Sequence, residues 1–143
     1  RDAGADQVVL SDTIGTGNPD QVKRTVAAVS KAGLPLEMMA LHMHDSRGTA
    51  VANVIAGLQM GLRTFDGSIG GVGGCPYAPG AAGNAASEDL IQVLEDMGWN
   101  TGIDLERACE AGVFLADALG RELPGRMHKV HLAAGRLNET CSA

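Results

Sequence analysis

Aromatic residues are nearly missing from this sequence: its 143 residues include one Trp, one Tyr and two Phe. Any core must therefore be aliphatic, built from Val, Leu, Ile, Met and Ala. Basic charge is also scarce, with 11 Lys and Arg against 17 Asp and Glu, for a net charge of −6. Without a basic stripe to neutralise phosphates, nucleic acid is not expected as a partner. No apolar run approaches the roughly 20 residues that span a bilayer, so no membrane partner is expected either. Cysteines are few, and Cys75, Cys109 and Cys141 are odd in number and widely spaced. That pattern implies neither a disulfide framework nor a zinc ribbon, and it favours a reducing compartment. An initial Met is lacking as well. Arg1-Asp2-Ala3-Gly4-Ala5-Asp6-Gln7 reads as a helix end turning into a strand, so the chain is expected to continue a longer protein whose N-terminal part lies upstream.

What the sequence does have is an alternation of short apolar runs with helical periods. Val8-Val9-Leu10 is a strand candidate ending at Ser11-Asp12-Thr13. Asn18-Pro19 opens a helix with Asn18 as N-cap, and Val22, Val26 and Val29 share one face. Gly33 and Pro35 close it. Leu36 to Leu41 is the second strand candidate and runs into His42-Met43-His44-Asp45. A helix over about 48–60 and a short strand at Arg63-Thr64-Phe65-Asp66 follow. Seven of the 20 glycines then fall between Gly67 and Gly83. The spacing predicts a helix from Asn84 to Met97 and a last one capped by Asp104.

Strand-helix alternation with short links implies right-handed βαβ units and a parallel sheet. A whole (β/α)8 barrel needs about 250 residues. The expected fold is therefore α/β, the C-terminal part of a (β/α)8 TIM barrel with about three parallel strands and flanking helices; a small open sheet is the alternative. Residues 1–120 form this portion, and 121–143 form a mixed, locally basic tail with little anchoring, in which His128 and His131 read as solvated. Asp12-Thr13, His42-His44-Asp45 and Asp66-Ser68 all follow strands, at the end where a barrel, or an open parallel sheet, places its site.

His42 and His44 are two residues apart on a strand and so point to one side, where two imidazoles can converge on one cation. Imidazole suits Zn, Fe or Mn; oxygen ligands tilt a site towards Mg or Mn, and the Asn84 amide is a candidate hard ligand. Cys75 follows four glycines in Gly70-Gly71-Val72-Gly73-Gly74 and precedes Pro76. Such a loop can approach a substrate closely, and a thiol with a pKa of about 8.5 is mostly protonated at neutral pH and able to donate. Cys109, by contrast, lies within helical apolar periodicity and reads as structural. The loop matches neither dinucleotide nor Walker phosphate patterns. Asp12 is either a site carboxylate or a turn residue. Glu88, in the first turn of its helix, reads on its own as a dipole-compensating surface acid.

Together these residues resemble a known family. Ser11-Asp12-Thr13-Ile14-Gly15, His42-Met43-His44-Asp45-Ser46, and above all Gly73-Gly74-Cys75-Pro76-Tyr77-Ala78 with Gly83-Asn84 and Glu88-Asp89, resemble hydroxymethylglutaryl-CoA lyase. The resemblance runs to about Leu119. It implies a (β/α)8 barrel that cleaves 3-hydroxy-3-methylglutaryl-CoA to acetyl-CoA and acetoacetate, a step of leucine degradation and ketone-body metabolism. It further implies Mg2+ or Mn2+ held by His42, His44 and Asn84, with Cys75 as catalytic acid/base and Asp12 in the active site. Glu88 and Asp45 are implied as supporting residues. An acyl-CoA is the implied partner, and the full-length protein is a candidate homo-oligomer. Its compartment would be the cytoplasm in a bacterium or the mitochondrion in a eukaryote.

One departure bears on activity. The family's first strand carries an Arg-Asp pair, and Arg1-Asp2 precedes the wrong strand to be it. The 143-residue piece alone is thus expected to be inactive while the full-length parent is a lyase. Alternatives are a related lyase for a longer-branched hydroxyglutaryl-CoA, a condensing synthase such as isopropylmalate synthase, which the Cys75 loop argues against, and a non-catalytic metal-binding remnant.

Overall fold

Val8–Asp12 forms β1, with alternate residues exposed. The computed structural model describes residues 4–74 and 83–141. Helix α1, Pro19–Lys31, starts as its sequence dictates: Asn18 accepts from the Gln21 backbone N–H, and the Gln21 side chain accepts from Asn18 N–H. This reciprocal pairing satisfies two otherwise unpaired groups at the helix start. Val22 and Val26 are its buried stripe.

The second strand begins later than expected. Leu36–Met38 is a single 3-10 turn, closed by Met38 N–H donating to the Pro35 carbonyl, and β2 is Met39–Met43. Four of its five residues are buried, which suits a strand covered on both faces. Helix α2, Ala50–Gln59, packs against α1 and β2, and β3 is Thr64–Asp66. The sheet order is β1-β2-β3, all parallel, with Ser11 paired to His42 and His42 to Asp66. That register sets the ends of the three strands in one row.

The described residues form two compact units, one within 1–66 and 74–84 and one within 67–73 and 85–143. The first holds the sheet, α1 and α2, with Val26, Met39, Leu41, Val54 and Leu62 as its aliphatic centre. The second holds α3 (Ser87–Asp96), α4 (Leu105–Leu119) and α5 (Met127–Cys141), together with a 3-10 turn at Ile69–Gly71. Leu90, Ile91, Ala108, Cys109 and Leu123 are buried in it. Asp104 caps α4 by accepting from Arg107 N–H, and Gly120 ends it in the left-handed conformation.

Two expectations are corrected. Helix α3 starts at Ser87, not Asn84, because Asn84 is engaged in an antiparallel bridge with His44. The segment after Arg121 is not weakly anchored: it forms α5, which packs on α4, and His128 is 3 % exposed. The Asp89 carboxylate fixes the start of α5 by accepting from the Arg126 and Met127 backbone N–H groups. A carboxylate at a helix N-terminus satisfies unpaired donors and meets the positive end of the helix dipole.

Candidate functional site

The two histidines at the end of β2 converge as period-2 geometry requires. Their Nε2 atoms lie 3.1 Å apart, and the rings meet edge to face at 62°. His42 Nδ1 donates to Asp66 Oδ1 at 2.5 Å, a contact made possible by the pairing of these residues across β2 and β3. With its proton held on Nδ1, His42 presents the Nε2 lone pair towards His44. His44 is 7 % exposed, and its Nδ1 has no hydrogen-bond partner among the described residues. Burial lowers the His44 pKa, the nearby His42 adds to this, and the carboxylates of Asp12 and Asp66 oppose it. The neutral, ligating form of the ring is favoured.

These atoms fit a divalent cation. Two nitrogens each about 2.1 Å from one ion and at right angles to each other lie about 3.0 Å apart. The observed Nε2 separation of 3.1 Å meets that requirement. The carboxylate behind His42 is the outer partner that ligating imidazoles usually have. Asn84 is brought alongside by its bridge to His44 and by Asp45 N–H donating to the Gly83 carbonyl. Directly opposed residues carry their side chains on the same side. Among the described residues, no group of three or more His, Cys, Asp or Glu side chains is arranged to hold a metal. Two imidazoles thus face each other, and Asn84 is bridged to the second of them.

Asp12 makes the contacts of a turn residue at the end of β1. Its carboxylate oxygens accept from Thr16 N–H at 3.2 Å and Gly17 N–H at 2.8 Å, and its carbonyl accepts from His44 N–H. The loop is held from the other side, where Thr49 Oγ1 and Asn53 Nδ2 donate to the Gly17 carbonyl. Asp45 accepts from Ala50 N–H at 2.8 Å and so supports the start of α2. Cys75 lies outside the described residues.

Glu88, in the second unit, is not the surface acid that its helix position alone implies. It is fully buried, and its two carboxylate oxygens accept from Gly70 N–H at 3.0 Å each, while His128 Nδ1 lies 3.0 Å from Oε1. Sequence reasoning set Asp66 at the site end of its strand without giving it a partner, and it missed the parts played by Asn53 and His128. Asp66 had a usable signal, an acid at the end of the strand next to the histidines. His128 had none, since a histidine in a basic stretch looks solvated.

The HMGL-like family profile matches residues 1–115. The hydroxymethylglutaryl-CoA lyase of Bacillus subtilis is 49% identical over 123 residues, 86% of this chain and 41% of that protein. The mitochondrial hydroxymethylglutaryl-CoA lyase of Gallus gallus is 44% identical over 134 residues, 94% of this chain and 44% of that protein. Among solved structures, an HMG-CoA lyase from Acinetobacter baumannii in complex with coenzyme A and 3-methylmalate superposes with a TM-score of 0.83 at 41% identity, covering 90% of this chain and 42% of that one. The chain thus spans less than half the length of these relatives. The three parallel strands among its described residues, with their helices, are the α/β, TIM-barrel-type fold of those lyases. No helix among the described residues is long and apolar enough to cross a membrane. By the profile match and by these identities, the chain belongs to the HMGL-like family.

Proposed function

We propose that this chain supplies the C-terminal part of a hydroxymethylglutaryl-CoA lyase, which cleaves 3-hydroxy-3-methylglutaryl-CoA to acetyl-CoA and acetoacetate. The observation that carries the reading is the His42–His44 pair, with facing Nε2 atoms 3.1 Å apart and Asp66 behind His42. Family membership and the coenzyme A seen in the Acinetobacter lyase support an acyl-CoA substrate. Residues 1–120 are the portion of the lyase domain, and the remainder of the barrel comes from the rest of the protein. In support, β1 is an edge of the sheet, and an open groove of about 400 Å³ runs beside it past Ser11, Asp12, Thr16 and Gly17.

His42, His44 and Asn84 would hold Mg2+ or Mn2+. When bound, that cation supplies Lewis acidity, lowering the pKa of the substrate's tertiary hydroxyl and fixing its orientation. Asp66 keeps the His42 proton on Nδ1 and so leaves Nε2 free to ligate. Asp12 holds the 13–17 turn in place beside the His44 backbone. A positioned base of the complete site takes the hydroxyl proton, the carbon–carbon bond breaks as the ketone of acetoacetate forms, and Cys75 gives its proton to the departing acetyl-CoA carbanion. A positioned acid or base of this kind contributes about 10²–10⁴-fold. Assembly as a homo-oligomer belongs to the same reading of the full-length protein. So does a cytoplasmic location in a bacterium or a mitochondrial one in a eukaryote.

Titration of the chain with Mn2+, followed by electron paramagnetic resonance, tests the centre. Binding is expected in the native chain and is lost in His42→Ala and His44→Ala; a native chain that takes up no Mn2+ sinks the metal reading. Acetoacetate release is expected when the upstream part of the protein is present, and Cys75→Ala should abolish most of it while Mn2+ affinity stays unchanged. Robust turnover by the 143-residue chain alone would overturn the view that its catalytic groups are incomplete.

A further inference from the structure

The second unit encloses a carboxylate–imidazole pair around Glu88, whose supporting role the resemblance implies without saying how it acts. Glu88 has no exposed surface, and His128 is 3 % exposed. Burying a carboxylate is costly unless donors replace the lost water. Here the donors are the Gly70 N–H, which reaches both oxygens at 3.0 Å, and His128 Nδ1 at 3.0 Å from Oε1. The Gly70 carbonyl is held too, accepting from Gly125 N–H at 2.9 Å. Gly70 sits at φ 65°, a left-handed conformation that needs glycine, and a Cβ there would meet Leu123 Cδ1 at 2.3 Å. Both sides of one peptide position are thus clamped, and that position begins the glycine-rich stretch five residues ahead of Cys75 in the sequence.

The backbone around the pair is cut to fit it. A Cβ on Gly112 of α4 would lie 2.7 Å from His128 Cβ, and one on Gly125 would lie 2.8 Å from Glu88 Oε1. Glycine at these two places lets α5 bring the imidazole against the carboxylate. The pair does not cap a helix, since Asp89 performs that task for α5. Its only backbone client among the described contacts is Gly70.

We propose that His128 is a positioning residue, acting through the Glu88 carboxylate on Gly70 to fix that peptide at the start of the glycine-rich stretch that leads in sequence to Cys75. What the loop then does rests on the lyase reading; the clamp itself does not. Losing His128 leaves a buried carboxylate short of a donor, and Gly70 loses a fixed acceptor.

Amide exchange at Gly70 and the peptide-resolved alkylation rate of Cys75 test this without any need for turnover. In His128→Leu, Gly70 exchange is expected to accelerate by about tenfold or more, the range for losing a hydrogen bond to a charged group. The Leu41 amide in β2 should be unaffected, as should Mn2+ affinity at the histidine pair. His128→Asn, whose amide nitrogen stands where Nδ1 stood, should restore Gly70 protection and reverse the faster Cys75 alkylation expected in the leucine variant. Gly112→Ala keeps both partners and crowds the pair itself, its Cβ reaching His128 Cβ at 2.7 Å and Glu88 Oε1 at 3.3 Å, so it should loosen Gly70 in the same selective way, even if the leucine variant does not fold. Unchanged Gly70 exchange in the leucine or alanine variant overturns the proposal. So does acceleration shared equally by Leu41, which would mean general destabilisation, and so does a failure of His128→Asn to rescue. An inactive protein with no Mn2+ binding but a selective Gly70 response would sink the lyase reading and leave the clamp standing.

Discussion

His42 Nδ1 and Asp66 Oδ1 lie 2.5 Å apart, tying the end of β2 to the end of β3. The contact favours the His42 tautomer with its proton on Nδ1, which leaves Nε2 turned towards His44, 3.1 Å away. Outer partners of ligating histidines typically change metal affinity by about 10–100-fold. Asp66→Ala should therefore weaken Mn2+ binding by about that factor, with Asp66→Asn, which keeps an acceptor but loses the charge, falling between it and the native chain. Equilibrium titration gives the affinities, and 15N chemical shifts of the imidazole report the tautomer. An Asp66→Ala chain of native affinity would remove the orienting role.

The histidine pair was legible in the sequence because strand geometry alone dictates that i and i+2 share a side. So were the parallel sheet and the Asn18 cap, which follow from local rules. The rest depended on contacts between segments far apart in the chain. Nothing local to Glu88 reveals that Gly70 and His128 will enclose it, and an acid in the first turn of a helix usually faces water. The segment after Arg121 carries enough charge to look solvated, yet Leu123 and His128 are buried there because glycines at 70 and 112 leave room for them. Asn84 was placed in a helix because helical spacing continues back to it; its bridge to His44 is a tertiary contact that overrides that spacing.

The α1 cap should have a measurable effect on stability. Asn18 and Gln21 satisfy each other's backbone N–H groups at 3.0 and 2.9 Å. Asn18→Ala removes the side-chain acceptor and should cost about 1 kcal/mol. Urea unfolding gives the value. Asn18→Ser and Asn18→Asp, which retain an acceptor, should recover most of the loss.

Cys109 predicts an alkaline effect. Burial raises the pKa of its thiol, and the charges of Glu88 and Asp89 raise it further. The folded chain therefore keeps this proton at a pH where the unfolded chain has released it. More protons bound to the folded form means that stability falls as pH rises. The contribution is complete below the unfolded thiol pKa of about 8.5 and is lost progressively as pH climbs from there through the higher folded value. Melting curves from pH 7 upwards should show Cys109→Val losing less stability than the native chain. Parallel curves for the two proteins would place the alkaline loss elsewhere.

Gly17 and Asp12 are coupled by a steric relationship that a double-mutant cycle can expose. A Cβ on Gly17 would lie 2.8 Å from Asp12 Oδ2, and that carboxylate cannot swing away without giving up the Thr16 and Gly17 N–H groups. Thr49 and Asn53 hold the Gly17 carbonyl from behind, so the backbone cannot retreat easily either. Gly17→Ala should therefore destabilise by about 1–3 kcal/mol, the usual range for forcing an extra carbon into a packed site. Asp12→Ala should destabilise as well, since two loop N–H groups lose their acceptor. The two changes share one cause of damage, because alanine at position 12 removes the atom that the new Cβ would strike. The double variant should therefore lose clearly less stability than the two single variants added together, whereas independent sites add to within about 0.5 kcal/mol. Strict additivity in denaturant unfolding would mean that the 13–17 turn relaxes freely around the new methyl group, and that the Asp12 carboxylate is not what holds it.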